Sequence, residues 1–197
     1  EVAEFFPSGK SSSLWWKSVE DNALYAAGHQ LNTYGQLGIG DARNNNHYPI
    51  TKVMDNIKDA APAMGVNVYV KMDGTVWWSG YDKTVGQSVS DTYTLTSTQL
   101  TGLPPIEKVT TSGPSNNGGN VVHLIGTDGS LWVWGRNSHG KLGIGQAYDQ
   151  SLDTTAHQHY GSGDNSTSYD QYVKTPVQVI SSGVKSVVSD SLGSMAI

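Results

Sequence analysis

One sequence motif occurs in three copies, and this repetition limits the chain to a small set of folds. In its most complete copy the motif runs from Asp128-Gly129 through the apolar stretch 130–134 to a glycine-spaced tail at 135–145. An Asp-Gly pair tolerates the positive φ angles of a tight turn, and alternating aromatic and β-branched residues are typical of a strand. The motif therefore predicts a hairpin whose second strand leads into a sharply turning loop.

Two further copies of the motif precede this one. The first covers residues 21–41, and the second, which is weaker, covers 73–87. The glycines that end the predicted strands, Gly28, Gly80 and Gly135, are spaced by 52 and 55 residues. Self-similarity at a period near 50 residues is typical of propellers and solenoids, whose units bury their apolar faces against one another.

Each copy predicts four strands, which is the content of one propeller blade. After the hairpin comes an extended segment that starts at proline or is rich in threonine, and then an apolar segment that ends near a glycine. The predicted hairpins are 12–17 with 23–27, 66–71 with 75–79 and 121–125 with 130–134, and the later strands are 49–53 with 57–63, 95–100 with 106–112 and 176–180 with 184–191.

The 197 residues are therefore expected to form one all-β propeller segment, 1–197, of about three to four blades. The repeat phases lie near 14–65, 66–120 and 121–193, with an insertion loop at 146–174. The chain starts and stops at matching points of the repeat. We therefore expect further blades of the same protein, or another chain, to complete the ring and cover its open edge.

Composition excludes several classes of function. The net charge is -5, whereas a nucleic-acid surface needs a basic stripe. The chain has no cysteine, so disulfides, cysteine-ligated zinc and a thiol nucleophile are excluded. No stretch approaches the roughly 18 apolar residues of a membrane-spanning helix. We expect neither nucleic-acid binding nor membrane insertion.

The repeated motif resembles that of the RCC1-like (regulator of chromosome condensation) repeat family. The residues that carry the resemblance are Gly35-Gln36-Leu37-Gly38-Ile39-Gly40-Asp41 and Gly140-Lys141-Leu142-Gly143-Ile144-Gly145, each after an aromatic strand that ends in glycine. The resemblance covers the chain from about Ser12 to Ile197 and suggests a divergent, bacterial-type member or a fragment. It implies a seven-bladed β-propeller in which each sequence repeat is shared between adjacent blades.

The chain departs from the family pattern in two copies. The middle copy lacks the Leu-Gly-x-Gly tail, and the first has Ala26-Ala27-Gly28 where Trp-Gly is typical. The best-known member of the family is a nucleotide-exchange factor for a small GTPase and binds nucleosomes. Its functional residues lie in particular repeats that cannot be matched here, so none is transferred to this chain.

The sequence carries no catalytic signature. It has no phosphate-binding loop, no His-Glu-x-x-His and no Gly-x-Ser-x-Gly; Gly140-Lys141 lacks the following Ser or Thr of a phosphate loop. Asp21, Asp73 and Asp128 occupy turn positions, where a structural role is the favoured interpretation. We therefore predict a protein that is not an enzyme and needs no cofactor.

The insertion is the most distinctive local feature, because it is rich in tyrosine, serine, glycine and asparagine, the residues of adaptable recognition surfaces. The candidate partner-binding residues are Tyr148, Asp153, His157, His159, Tyr160, Asp164, Tyr169 and Tyr172. Two alternatives remain open. In the first, His157 and His159 lie on one side of an extended strand and form a metal site together with carboxylates. In the second, the insertion is a polar surface loop without a binding role, because surface loops tolerate insertions.

The six tryptophans also allow two interpretations. They recur at equivalent strand positions, which favours packing within and between blades over an exposed sugar-binding surface. Low charge, abundant polar uncharged residues and the absence of cysteine lead to the functional hypothesis: an extracellular or cell-surface binding and adhesion module for a protein or glycan partner. The alternative is a cytoplasmic exchange factor for a small GTPase.

Overall fold

The computed structural model describes most of the chain. The described residues are 2–7, 13–29, 32–42, 48–63, 65–85, 92–112, 120–137, 140–145, 154–160, 167–189 and 194–197.

Within these ranges the chain forms mainly strands, with a short 3-10 helix and no α-helix. The strands are β1 (Val2–Phe6), β2 (Ser13–Ser18), β3 (Leu24–Gly28), β4 (Tyr48–Met54), β5 (Ile57–Pro62), β6 (Val66–Lys71), β7 (Val76–Tyr81), β8 (Tyr93–Leu100), β9 (Ile106–Ser112), β10 (Val121–Gly126), β11 (Leu131–Arg136), β12 (Thr154–Tyr160), β13 (Thr167–Ile180), β14 (Val187–Ser189) and β15 (Ser194–Ala196). The 3-10 helix is Asp82–Val85.

The strands form separate antiparallel sheets in chain order, which are the blades of an unclosed propeller. Blade 1 is β1-β2-β3-β4 and blade 2 is β5-β6-β7-β8. Blade 3 is β9-β10-β11-β13 with β12 added at its outer edge, and β14-β15 are two strands of a fourth blade. The predicted all-β propeller of three to four blades is confirmed.

Successive blades are joined by a backbone hydrogen bond that recurs three times. The amide of the residue that enters each new blade donates to a carbonyl in the hairpin turn of the blade before it. The pairs are Ile57 to Asn22 at 2.8 Å, Ile106 to Gly74 at 2.9 Å and Val184 to Gly129 at 3.0 Å. Gly74 has φ +81°, and a Cβ there would come within 2.9 Å of Pro105, so this close approach requires glycine.

The core lies between blades. One cluster joins Phe6, Trp15 and Leu37 of blade 1 to Ile57 and Tyr69 of blade 2. A second cluster joins the opposite face of blade 2 to blade 3, where the rings of Trp78 and Trp134 meet edge to face with centroids 5.6 Å apart. Blade 2 is thus covered on both faces by its neighbours, as expected for a propeller blade.

The tryptophans are core and interface residues in this arrangement. Trp15, Trp78 and Trp134 are buried, and the other three are half-buried. Trp77 and Trp132 occupy equivalent positions, and each indole N–H donates to a hydroxyl two residues earlier, that of Thr75 or Ser130. The packing interpretation of the tryptophans is confirmed.

The turn aspartates also have the structural role expected of them. The Oδ1 atoms of Asp21, Asp73 and Asp128 accept the backbone N–H two residues ahead at 3.1, 2.9 and 2.9 Å. Side-chain hydroxyl donors, from Tyr25, Thr75 and Ser130 respectively, hold the pKa of each carboxyl below its usual range, together with these backbone bonds. The carboxylates therefore cap the hairpin turns in their charged form.

Two strands differ from the sequence-based expectation. β1 forms although residues 1–10 show no clear strand pattern beyond Phe5-Phe6, because it pairs with β2 and completes blade 1. The insertion was expected to be a loop, but its described part pairs as β12 with the first half of β13. Both segments owe their conformation to a neighbouring strand rather than to their own pattern.

Candidate functional site

The insertion forms a hairpin that extends past the end of blade 3. β13 pairs with β11 from Ile180 back to Tyr172, which lies opposite Arg136, the last residue of β11. Residues 167–171 continue beyond that point and pair only with β12. At a strand rise of about 3.3 Å per residue, this part projects by roughly 16 Å.

The hairpin contains five of the eight predicted site residues. His157, His159 and Tyr160 lie in β12, and Tyr169 and Tyr172 lie in β13. In the ladder His157 is opposite Asp170, and Tyr172 is opposite Thr155.

The structure therefore brings these five residues into one two-stranded ribbon at backbone level. The other three predicted residues, Tyr148, Asp153 and Asp164, lie outside the described residues.

The same end of the blades carries the loops that follow β3, β7 and β11. We call residues 32–42 tail loop 1 and residues 137–145, of which 137 and 140–145 are described, tail loop 3. In both, an asparagine side chain holds the loop: the Oδ1 of Asn32 accepts the amide of Leu37 at 2.9 Å, and that of Asn137 accepts the amide of Leu142 at 3.1 Å. The sequence patterns did not single out either asparagine.

Tail loop 1 lies against blade 2. The backbone carbonyl of Gln36 accepts three side-chain donors of blade 2, from Asn67 at 2.9 Å, Tyr69 at 2.7 Å and Ser79 at 2.7 Å. Burial raises the pKa of Tyr69, so its hydroxyl remains a donor. The amide of Gly40 also donates to the carbonyl of Leu95 in β8 at 2.9 Å, so the loop extends the outer edge of blade 2.

Three tyrosines cluster beside tail loop 1. The ring of Tyr34 stacks on Tyr81, with centroids 5.4 Å apart, and on Tyr93 at 6.0 Å. Tyr34 and Tyr81 are half-buried and Tyr93 is 42% exposed. The cluster ties the loop to blade 2 and leaves part of an aromatic surface at the same end of the blades as the insertion hairpin. Sequence reasoning missed it because its members come from three separate segments.

The inner strands β1, β5, β9 and β14 line a groove of about 510 Å³ with mixed charge. Asp59 is its most buried acid, and burial raises its pKa. Its carboxylate accepts the amides of Val109 in blade 3 at 2.8 Å and of Ala60 at 2.9 Å. The aspartate thus ties two inner strands together, which is a structural rather than a catalytic arrangement.

Blade 3 holds a buried histidine. His123 is 2% exposed, and its Nδ1 has no hydrogen-bond partner among the described atoms. Burial lowers its pKa to about 4. In the strand register its position corresponds to Trp15 in blade 1 and Val68 in blade 2, both of which pack on the following blade.

Further observations limit the chemistry of the described residues. No group of three or more His, Asp or Glu side chains among them could hold a metal ion. No described helix has the length and apolar character needed to cross a membrane.

Comparison with known proteins identifies the fold. No protein-family model matches the chain, and no curated protein matches it in sequence. Among solved structures, Prp20p from Saccharomyces cerevisiae, described with its binding to Gsp1p and histones, matches with a TM-score of 0.59 at 16% identity, over 88% of this chain and 44% of that one. Yeast RCC1 (Prp20) bound by Kap60 gives a TM-score of 0.57 at 17% identity, over 88% and 42%.

Human WBSCR16 matches with a TM-score of 0.61 at 15% identity, over 95% of this chain and 42% of its own. The chain therefore has an RCC1-like repeat fold and spans less than half the length of these structures.

Proposed function

We propose that the chain is a non-enzymatic binding scaffold that recognises its partner through the β12–β13 hairpin. The observation that carries the proposal is the projection of this hairpin past Arg136, the end of β11. A strand pair that continues beyond its blade has one part fixed by the sheet and another part clear of it. Such an element presents side chains on a rigid base at low entropic cost.

The residue types of the hairpin support recognition. Tyrosine contributes a large contact area with few rotatable bonds, and serine, threonine and glutamine adapt their hydrogen bonds to the partner. The residues proposed for contact are His157, His159, Tyr160, Tyr169 and Tyr172, with Tyr148, Asp153 and Asp164 from the rest of the insertion. The exposed edge of the tyrosine cluster at Tyr93 lies at the same end of the blades and would extend the contact surface.

The composition supports a protein or glycan partner at an extracellular or cell-surface location. Charged residues are only 15% of the chain, and cysteine is absent, as in surface proteins that are stabilised without disulfides. Further blades, from the same protein or another chain, would complete the ring around the hairpin's base.

A matched pair of variants tests the role of the hairpin. Tyr160, Tyr169 and Tyr172 are replaced by alanine in one variant, and in the other the exposed residues Val19, Met72 and Thr127, which lie in the hairpin turns at the opposite end of the blades. Glycan-array and pull-down experiments with the wild type first identify a ligand. The tyrosine variant should then bind it at least tenfold more weakly, and the control variant within about twofold of the wild type. Equal binding by both variants, or empty screens with the wild type, would contradict the proposal.

The second candidate function is nucleotide exchange on a small GTPase. It is favoured by the structural likeness to Prp20p, which is described as binding Gsp1p. Release of a fluorescent guanine nucleotide from a panel of small GTPases is the direct measurement. Faster release in the presence of the chain would support exchange activity, and unchanged rates across the panel would exclude it.

A further inference from the structure

The inner strands of successive blades repeat one arrangement along the groove of about 510 Å³. Each strand is entered at Ile57, Ile106 or Val184, the residues whose amides bond to the preceding hairpin turn. Two residues further on stand Asp59, Lys108 and Ser186, and three residues further on stand Ala60, Val109 and Val187. All six of these residues line the groove, so equivalent positions can be compared from blade to blade.

Asp59 shows what this arrangement does when an acid is present. Its Oδ1 accepts the amide of Ala60 at 2.9 Å, and its Oδ2 accepts the amide of Val109 in the next blade at 2.8 Å. One carboxylate thus accepts two backbone donors from neighbouring inner strands. Because Val109 is only 5% exposed, the carboxylate supplies an acceptor that a buried amide needs.

The amide of Val187 has the same place in the fourth blade, but it has no such acceptor. Ser186 and Ile197 bond to each other in both directions, at 3.2 Å and 2.9 Å. Successive residues of an antiparallel strand direct their backbone groups to opposite sides, so the amide of Val187 is directed away from β15 and towards the groove. Among the described residues no group accepts this amide, although Val187 is only 6% exposed.

Lys108 stands where the repeat calls for the acid that would cap Val187. Its side chain has the position relative to Val187 that the side chain of Asp59 has relative to Val109. A lysine donates hydrogen bonds and accepts none, so an ammonium group and a buried N–H both lie here as donors. The exposed hydroxyl of Ser186 is next to them in the chain. An anion at this place would receive charge-assisted hydrogen bonds from the lysine as well as the amide bond.

We propose that the groove between blade 3 and the fourth blade binds the carboxylate of a small ligand with an apolar body. One carboxylate oxygen accepts the amide of Val187, as Asp59 accepts that of Val109, and the other oxygen accepts from the ammonium group of Lys108. Phe5, whose ring is 58% exposed, also lines the groove and offers an apolar contact to the rest of the ligand. A volume of about 510 Å³ is within the usual range of small-molecule sites.

The other acids of the groove set the affinity of the site. Glu4 stands in blade 1 where Asp59 stands in blade 2, and its carboxylate is paired with Lys17 at 3.0 Å. Glu107 is exposed beside Lys108 and repels an anion, so a small carboxylate should bind only in the millimolar range. The site shares no residue with the β12–β13 hairpin, and the two sites can therefore be tested separately.

NMR of the backbone amides measures binding at the atoms that carry the proposal. Hexanoate is the probe, and hexanamide, which has the same apolar body without the charge, is the control ligand. We expect hexanoate to shift the amide proton of Val187 downfield and saturably, with a dissociation constant of about 1–10 mM, and hexanamide to leave it in place. Lys108→Gln should weaken the binding of hexanoate roughly fivefold or more. Lys58→Gln removes the same charge from the same groove and should keep the affinity within about twofold of the wild type.

A second variant supplies the missing acceptor from within the chain. Lys108→Asp should shift the Val187 amide downfield without any ligand and abolish its response to hexanoate, because the new carboxylate takes the place of the ligand. Lys108→Asn, which provides a neutral acceptor, should reduce the response in the same direction if the acid prevents folding. An unchanged response in these variants, an equal response to hexanamide, an equal loss in Lys58→Gln and Lys108→Gln, or no response of the wild type would overturn the proposal.

Discussion

Tail loop 1 and tail loop 3 have one backbone conformation and two environments. Their glycine φ angles agree within about 6° at the first two glycines, and each loop is held by an asparagine side chain. A Cβ at Gly38 would collide with the hydroxyl of Ser97 in β8, whereas a Cβ at Gly143 would meet no described atom. The comparison shows that the sequence repeat encodes the loop itself, while the adjacent blade decides how tightly it is enclosed.

The largest expected difference comes from adding one methyl group to each loop. Gly143→Ala introduces only the strain of a positive φ, about 1 kcal/mol, whereas Gly38→Ala adds overpacking against blade 2 and should lose about 3–4 kcal/mol. Urea unfolding of both variants measures the free energies. Equal losses would mean that blade 2 does not enclose tail loop 1 as described.

The second prediction concerns His123, which occupies the blade-3 position that Trp15 and Val68 hold on enclosed faces. Its pKa is lowered from 6.5 to about 4 by burial, so the folded chain binds this proton less readily than the unfolded chain. The free energy of unfolding should therefore keep its full value above pH 6.5 and decrease by up to about 3 kcal/mol as the pH falls to 4 and below. His123→Val should remove this part of the pH dependence in unfolding curves. A variant as sensitive to pH as the wild type would show that His123 titrates normally.

The third prediction weakens the enclosure of tail loop 1 without changing its shape. Tyr69→Phe removes one of the three donors to the Gln36 carbonyl and should cost about 1 kcal/mol, because Asn67 and Ser79 remain. Tyr25→Phe, which loses an exposed hydrogen bond to Asp21, is the control and should have the smaller effect. Thermal unfolding of the two variants is the measurement, and a larger shift for Tyr25→Phe would contradict the assignment.

The smallest effect is expected from exchanging the loop sequences at one position. Lys141→Gln gives tail loop 3 the residue of tail loop 1, and a substitution outside the core should change stability by less than about 0.5 kcal/mol. If this change stabilised the chain strongly, the residue rather than the neighbouring blade would account for the difference between the loops.

The sequence predicted the repeating part of the fold well. The hairpins, the turn aspartates and the tryptophan packing follow from local patterns that recur with the repeat, so each copy supports the others. β1 was missed because residues 2–6 are fixed by pairing with β2, and the same holds for β12 in the insertion. In both cases the partner is the next strand along the chain, and pairing with it leaves no pattern in the segment's own sequence.

The candidate site could be predicted only in part. The tyrosine and histidine content of the insertion marked it as distinctive, but its projection beyond β11 depends on the register with Arg136. The donor triad on Gln36 was not visible either, since Asn67, Tyr69 and Ser79 resemble ordinary strand residues until the blades are packed.

Hydrogen exchange of the two tail loops tests the central claim most directly, that radially packed blades enclose the loop of the preceding repeat. The amide of Gly40 donates to the carbonyl of Leu95 of blade 2, whereas the amides of Leu37 and Leu142 are both buried and both donate to an asparagine of their own loop. The account predicts that the amide of Gly40 exchanges at least tenfold more slowly than that of Gly145, its counterpart in tail loop 3. Equal exchange in the two loops would contradict it.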